Sequence, residues 1–200
     1  TNLIDFVPNG SSYKLLFGEL TGRNGEIINS FVNSSSFATS LYGWSTSSTN
    51  TLVSRIVGKG YFYSEIGAAG NSWILVSNTT TSETSFGIVQ SLIPAYLMAG
   101  KQNIKAYAAA QITSSADAGA VTMKVDWYDI SKTFISTTSK TTNISTSNRW
   151  TYFECSDTSN NLGCPQNAYF ATVTLTYTPT NRTSTNKIYF DRVVLTPVVY

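Results

Sequence analysis

Strict alternation of apolar and polar residues is the feature that most narrows what this chain can fold into. In Val121-Thr-Met-Lys-Val-Asp-Trp127 every second residue is apolar. An extended strand then carries Val121, Met123, Val125 and Trp127 on one face and Thr122, Lys124, Asp126 and Tyr128 on the other. Tyr169-Phe-Ala-Thr-Val-Thr-Leu-Thr-Tyr177 repeats the pattern, with Ala171, Val173 and Leu175 inward and Thr172, Thr174 and Thr176 outward. Ile104, Ala106, Ala108 and Ala110 form a third row, which leaves Lys105, Tyr107 and Gln111 on its opposite side. Shorter strand-like runs occupy 52–57, 73–76, 86–93, 134–138, 150–154 and 188–195, and turn clusters such as Ala-Gly-Asn at 69–71 and Pro-Thr-Asn at 179–181 separate them. No segment has a helical period. The nearest, 93–105, contains Pro94 and Gly100 and reads as a loop. Many short strands with regular turns predict an all-β chain, a sandwich or jelly roll.

A chain of 200 residues suits one such sandwich with a sizeable core, or at most two very small domains. The sandwich is expected over residues 27–200. Residues 1–26 read differently, because loops at Asn9-Gly-Ser-Ser and Thr21-Gly-Arg-Asn-Gly25 surround a short apolar run, Leu15-Leu16-Phe17. They are read either as an N-terminal arm that packs on the sandwich or on a neighbouring subunit, or as an ordinary first strand. Thr1 is read as a processed end or as the start of an excised domain.

Composition excludes several functions. Apolar residues are 42% and aromatics 13%, enough for a packed core. Charged residues are only 12% and the net charge is +2, with Lys and Arg scattered singly, so no stripe exists to release phosphate counterions and nucleic acid is not an expected partner. No run of about 18 apolar residues is present, so membrane insertion is not expected either. Ser and Thr together make up roughly a quarter of the chain. Such a surface suits an exported protein or a virion part, and the expected location is extracellular or on a virion surface. Five Asn-x-Ser/Thr sequons, at Asn9, Asn33, Asn78, Asn143 and Asn181, are what this composition produces by chance.

There is no histidine, which removes Ser-His-Asp and Cys-His catalysis and the usual zinc sites. Paired carboxylates are the one catalytic route left, and glycoside hydrolysis needs them about 5–10 Å apart. Asp126 and Asp129 are neighbours in sequence, but alternation points them to opposite faces. They read as solvated strand-end acids, so no enzyme is expected. Cys155 and Cys164 flank a turn-rich loop. A disulfide there would close a short loop in an oxidising compartment; two free thiols are the reading for a reducing one.

At Asn33-Ser-Ser-Ser-Phe-Ala-Thr-Ser-Leu-Tyr-Gly-Trp-Ser45 the chain resembles the opening of jelly-roll carbohydrate-binding modules of the galactose-binding-domain-like superfamily, in which an Asn-x-x-Phe-Glu stretch leads to Gly-Trp. Later pieces follow the same order: Phe86-Gly-Ile-Val-Gln90, Ala99-Gly-Lys-Gln-Asn-Ile-Lys-Ala-Tyr107, Val125-Asp-Trp-Tyr-Asp129, Phe134-Ile-Ser, Arg149-Trp-Thr151, Ala168-Tyr-Phe-Ala-Thr-Val-Thr174 and Ile188-Tyr-Phe-Asp-Arg-Val-Val-Leu195. The resemblance implies a jelly-roll β-sandwich and, as the habitual metal, a structural calcium held by the opening segment and a last-strand Asp, which Asp191 matches. The glutamate expected after Phe37 is Ala38, so one charged ligand is missing.

Sugar binding needs an exposed aromatic face for the pyranose C–H surface and planar polar groups for its hydroxyls. The outward rows offer Tyr107, Tyr128, Lys105, Lys124, Asp126, Gln111 and Gln90. Tyr107 and Tyr128 are expected on one exposed sheet face. Trp73, beside Gly70 and Asn71, is a further exposed candidate, whereas Trp44, Trp127 and Trp150 are expected in the core. The expected function is a non-catalytic carbohydrate-binding or adhesion module on a cell or virus-particle surface, with a glycan or polysaccharide as partner. The alternative is a purely structural virion component (a phage decoration, fibre or tail protein) that joins other subunits through its sandwich and arm. A polysaccharide lyase on a jelly roll is disfavoured because its usual histidine is missing.

Overall fold

The structure is a computed structural model and describes residues 4–9, 12–17, 41–57, 72–100, 104–155 and 162–197. The loop at 21–25, the opening segment at 33–38 and the turn at 69–71 lie outside the described residues. So does the stretch at 27–40 where the sandwich is expected to begin.

Twelve strands are described: β1 (Ile4–Asn9), β2 (Ser12–Phe17), β3 (Ser45–Thr46), β4 (Thr51–Val57), β5 (Ser72–Asn78), β6 (Phe86–Pro94), β7 (Ile104–Gln111), β8 (Gly119–Tyr128), β9 (Phe134–Ile144), β10 (Thr151–Glu154), β11 (Phe170–Pro179) and β12 (Lys187–Pro197). The helical content among the described residues is two short 3-10 turns, Tyr96–Met98 and Ser115–Asp117. Sheet I has the order β10-β7-β12-β5-β4 and sheet II the order β3-β6-β11-β8-β9. Their strand pairs are all antiparallel, and successive strands repeatedly change sheet, which is jelly-roll architecture. β1 and β2 pair with each other, from Ile4 opposite Phe17 to Asn9 opposite Ser12, and with no other described strand.

The alternation finds its core. Val121, Met123, Val125 and Trp127 from β8 and Ala171, Val173 and Leu175 from β11 have no exposed surface, and the β7 row of Ile104, Ala106, Ala108 and Ala110 meets them from sheet I. Each large aliphatic side chain buried there contributes about 1.5–3 kcal/mol of transfer free energy. β7 is built from alanines on this face, which lets the bulk of Trp127 and Phe190 fit between sheets about 10 Å apart. In β12 the pairing with β7 slips between Asp191 and Val194, and Arg192 adopts a positive φ of 52°. That bulge resets parity, so Ile188 and Phe190 before it and Val193 and Leu195 after it all face the core.

Cys155 follows β10 and Cys164 lies on the return towards β11. Both are buried, and the disulfide expected between them is not formed. The sulphurs are committed elsewhere: Cys155 Sγ donates to the Thr138 carbonyl of β9 at 3.3 Å, and Cys164 Sγ to the Pro165 carbonyl at 3.6 Å. Burial pushes the Cys155 thiol up to about 12 and the Cys164 thiol up to about 11 from the ordinary 9.0. Burial also raises Tyr177, whose hydroxyl donates to the Asp117 carbonyl. The folded state holds these protons above pH 9, so unfolding releases them and stability falls as pH climbs from the unfolded thiol value towards 11–12. The native protein should therefore resist iodoacetamide near pH 8, gain two adducts by mass when denatured, and melt at lower temperature near pH 10.5 than near pH 8. Rapid alkylation of the native protein would contradict the burial.

Candidate functional site

The outer face of sheet I gathers the aromatic residues that the core does not use. Tyr107 and Ala109 of β7 point away from the alanine row, and Gln111 closes the strand on the same side. Across β10, Tyr152 sits opposite Ala109 and Glu154 opposite Tyr107; across β12, Tyr189 sits opposite Gln111, Asp191 opposite Ala109 and Val194 opposite Tyr107. Trp73 of β5 and Trp150, just ahead of β10, pack together on Ala109, with Ile56 and Tyr189 against them. Ala109 is small enough for two indoles to close over it, so one small residue in a central strand sets the floor of the cluster.

Tyr107 and Tyr152 form a second aromatic pair, with centroids 5.0 Å apart and planes 39° from parallel. Tyr152 presents the most surface, at 38% exposed, whereas Trp73 and Tyr107 are each 8% exposed. The rings lean on one another and on Val194, and so do not stand open as expected for Trp73 and Tyr107. Lys105 and Glu154 form an exposed ion pair of 3.2 Å at one end of this row. Gln111 is fully buried, and neither Oε1 nor Nε2 has a hydrogen-bond partner.

The remaining candidates lie elsewhere. Tyr128 is on the outer face of sheet II, opposite Phe170 and edge-on to Phe134 at 6.0 Å, so the single face expected to carry Tyr107 and Tyr128 does not exist. The chain crosses between sheets from β7 to β8 through the Ser115–Asp117 turn, and consecutive strands thus become layer partners instead of neighbours. Lys124 and Asp126 go with Tyr128 and pair at 2.8 Å. Asp126 is buried beneath that pair and is not a solvated acid, while Asp129 caps its own turn by accepting from the Thr133 amide at 2.8 Å. Gln90 faces inward beside Val173, in the row of Phe86 and Ile88.

Trp127 is core as expected, but Trp150 is buried in the outer aromatic cluster and not between the sheets. Trp44 is half-buried beside a small apolar pocket of about 100 Å³ lined with Leu41, Val53 and Ile88. Tyr152, Tyr189 and Trp150 were not among the sequence candidates. The available signal was parity, since Tyr152 alternates with buried Phe153 and Tyr189 with buried Phe190.

Asp191 is fully buried and accepts from the Arg192 amide at 2.7 Å. No group of three metal-ligating side chains occurs among the described residues, and the opening segment that the calcium reading requires lies outside them. The described residues do not by themselves assemble that site.

No protein-family model matches the sequence, and no curated protein matches it either. Solved structures do. The C-terminal family 22 carbohydrate-binding module of Clostridium thermocellum Xyn10B superposes with a TM-score of 0.56 at 18% identity, covering 88% of this chain and 97% of that one. The tandem CBM22-1–CBM22-2 domain of Paenibacillus barcinonensis Xyn10C gives 0.59 at 16%, covering 93% and 54%. The fold is that of the family 22 carbohydrate-binding modules. The jelly roll implied by the resemblance to galactose-binding-domain-like modules is therefore the one found. A C. thermocellum xylanase 10B chain comprising CBM22-1 and GH10 modules, complexed with xylohexaose, gives 0.56 at 15%; the match covers 81% of this chain but spans only 27% of the enzyme chain.

Proposed function

We propose that this chain is a non-catalytic carbohydrate-binding module that holds a polysaccharide, with xylan the first to test, along the outer face of sheet I. The observation that carries the reading is the aromatic row of Trp73, Trp150, Tyr189, Tyr107 and Tyr152 on the outside of a sheet in this fold. Tyr152, the exposed ring of that row, offers C–H stacking surface to a sugar, and the exposed Lys105 and Glu154 beside it offer hydrogen bonds to its hydroxyls. The face sits on paired strands, so binding needs no loop to order. One of the solved structures named above is complexed with xylohexaose, and the single CBM22-2 domain of Paenibacillus barcinonensis Xyn10C is described as xylan-binding, which supports a xylan-type polysaccharide as the partner class. We place the module outside the cell, as an adhesion element on a cell or particle surface, in keeping with its hydroxyl-rich, charge-poor composition.

One observation favours the assembly reading as an addition. β1 and β2 pair with no other described strand, and a lone two-stranded hairpin is marginal in water, so contact with another subunit would stabilise the arm. Affinity electrophoresis against soluble xylan and other polysaccharides, run with light scattering on the same sample, tests both. Retardation by xylan is the expected result. Free migration in every polysaccharide, with a defined oligomer in solution, would replace the glycan reading with the assembly one.

A further inference from the structure

Gln111 is the residue on this face whose state the fold leaves unexplained. Both polar atoms of its amide are buried without a partner, at 0% exposure, and no other described side chain has two polar atoms in that condition. An amide that exchanged water for nothing destabilises the folded state, and a methionine of the same length would carry no such cost. An unmade amide of this kind points to a partner that the free protein lacks.

Its position says what that partner is. Gln111 is the last residue of β7, opposite Tyr189 and two residues from Ala109, on which Trp73 and Trp150 close. We infer that Gln111 is a ligand-reading residue, its amide taking two adjacent hydroxyls of a sugar laid over those rings; this rests on the glycan reading of the face. One hydroxyl donates to Oε1 and its neighbour accepts from Nε2, a pairing that a planar amide makes and that an acceptor-only carboxylate or ester cannot complete. The site therefore selects sugars with a free vicinal diol over residues that are O-acetylated at that diol. Burial does not bar access. No hydrogen bond holds the side chain in, three rotatable bonds let it turn outward, and the ladder between β7 and β12 begins at this residue, so the turn leaves the remaining pairs intact.

The test is Gln111→Met, measured by calorimetric titration with xylohexaose and by thermal melting. The expected result is a loss of affinity of about tenfold or more together with a Tm raised by about 2–4 °C, because the variant removes an unmade amide from the free protein and a made one from the complex. Wild-type protein should in addition bind deacetylated xylan more tightly than acetylated xylan. Unchanged affinity with a lowered Tm would overturn the inference and assign Gln111 a structural role, while wild-type binding would leave the glycan face standing. Wild-type protein that binds no polysaccharide would remove both readings together.

Discussion

A side chain added at Gly87 is expected to lower the melting temperature by about 6–12 °C, the largest effect foreseen for any single added carbon in sheet II. A Cβ there would stand 1.9 Å from the Leu175 carbonyl oxygen and 2.9 Å from the Leu175 carbonyl carbon and the Thr176 Cα. All three atoms belong to the backbone of β11, to which Gly87 is paired through Thr176. No rotamer relieves the overlap, so β6 must separate from β11. That movement also disturbs the 2.9 Å bond from the Ser47 amide to the Gly87 carbonyl, which ties the β3 edge to the sheet. Overpacking against backbone costs about 3 kcal/mol or more. Gly100→Ala is the control: its Cβ meets nothing closer than 3.8 Å, and only its positive φ of 74° is penalised, at about 1 kcal/mol. Thermal denaturation of Gly87→Ala and Gly100→Ala decides between them, and a smaller drop for Gly87→Ala would mean that the two strands are not so closely apposed.

Loss of two rings from sheet I is expected to weaken polysaccharide binding about 30-fold. Tyr152 is the most exposed ring of the row and Trp73, on β5, stands at its other end. A stacked ring contributes about 1 kcal/mol to a sugar contact, and 1.4 kcal/mol is a factor of ten in affinity. Tyr152→Ala alone should cost about fivefold with little change in stability, because its ring is partly in water already. Trp73 is largely buried, so Trp73→Ala combined with Tyr152→Ala should also lower the melting temperature, and the binding titration belongs well below it. Tyr128→Ala and Phe134→Ala, on the far side of the sandwich, should leave affinity unchanged. If those two abolish binding while Tyr152→Ala does not, the glycan face is on sheet II.

What the sequence by itself determined is parity. In a strand, face is set by position along the chain, so alternation alone placed Val121 to Trp127, the β7 alanines and Ala171 to Leu175 in one core, and it put Tyr107, Lys105 and Gln111 together on the other side of β7. Parity is local, and it fails where the backbone slips. The bulge at Arg192 is such a place, and so is Leu92, whose positive φ of 56° lets Gln90 share the inward face of Phe86 and Ile88 while Ile93 still reaches the core. Which sheet a strand joins is decided only in three dimensions, because pairing is chosen by residues far apart in sequence. Tyr107 and Tyr128 obey the same alternation, yet β7 pairs with β10 and β12 while β8 pairs with β9 and β11, and the thickness of the sandwich separates the two rings. Trp150 and Tyr189 reach Trp73, and Tyr152 reaches Tyr107, by the same long-range pairing. The sulphurs of Cys155 and Cys164 are close in sequence but turned to different carbonyls, since burial in a packed core, not loop length, sets where each side chain points.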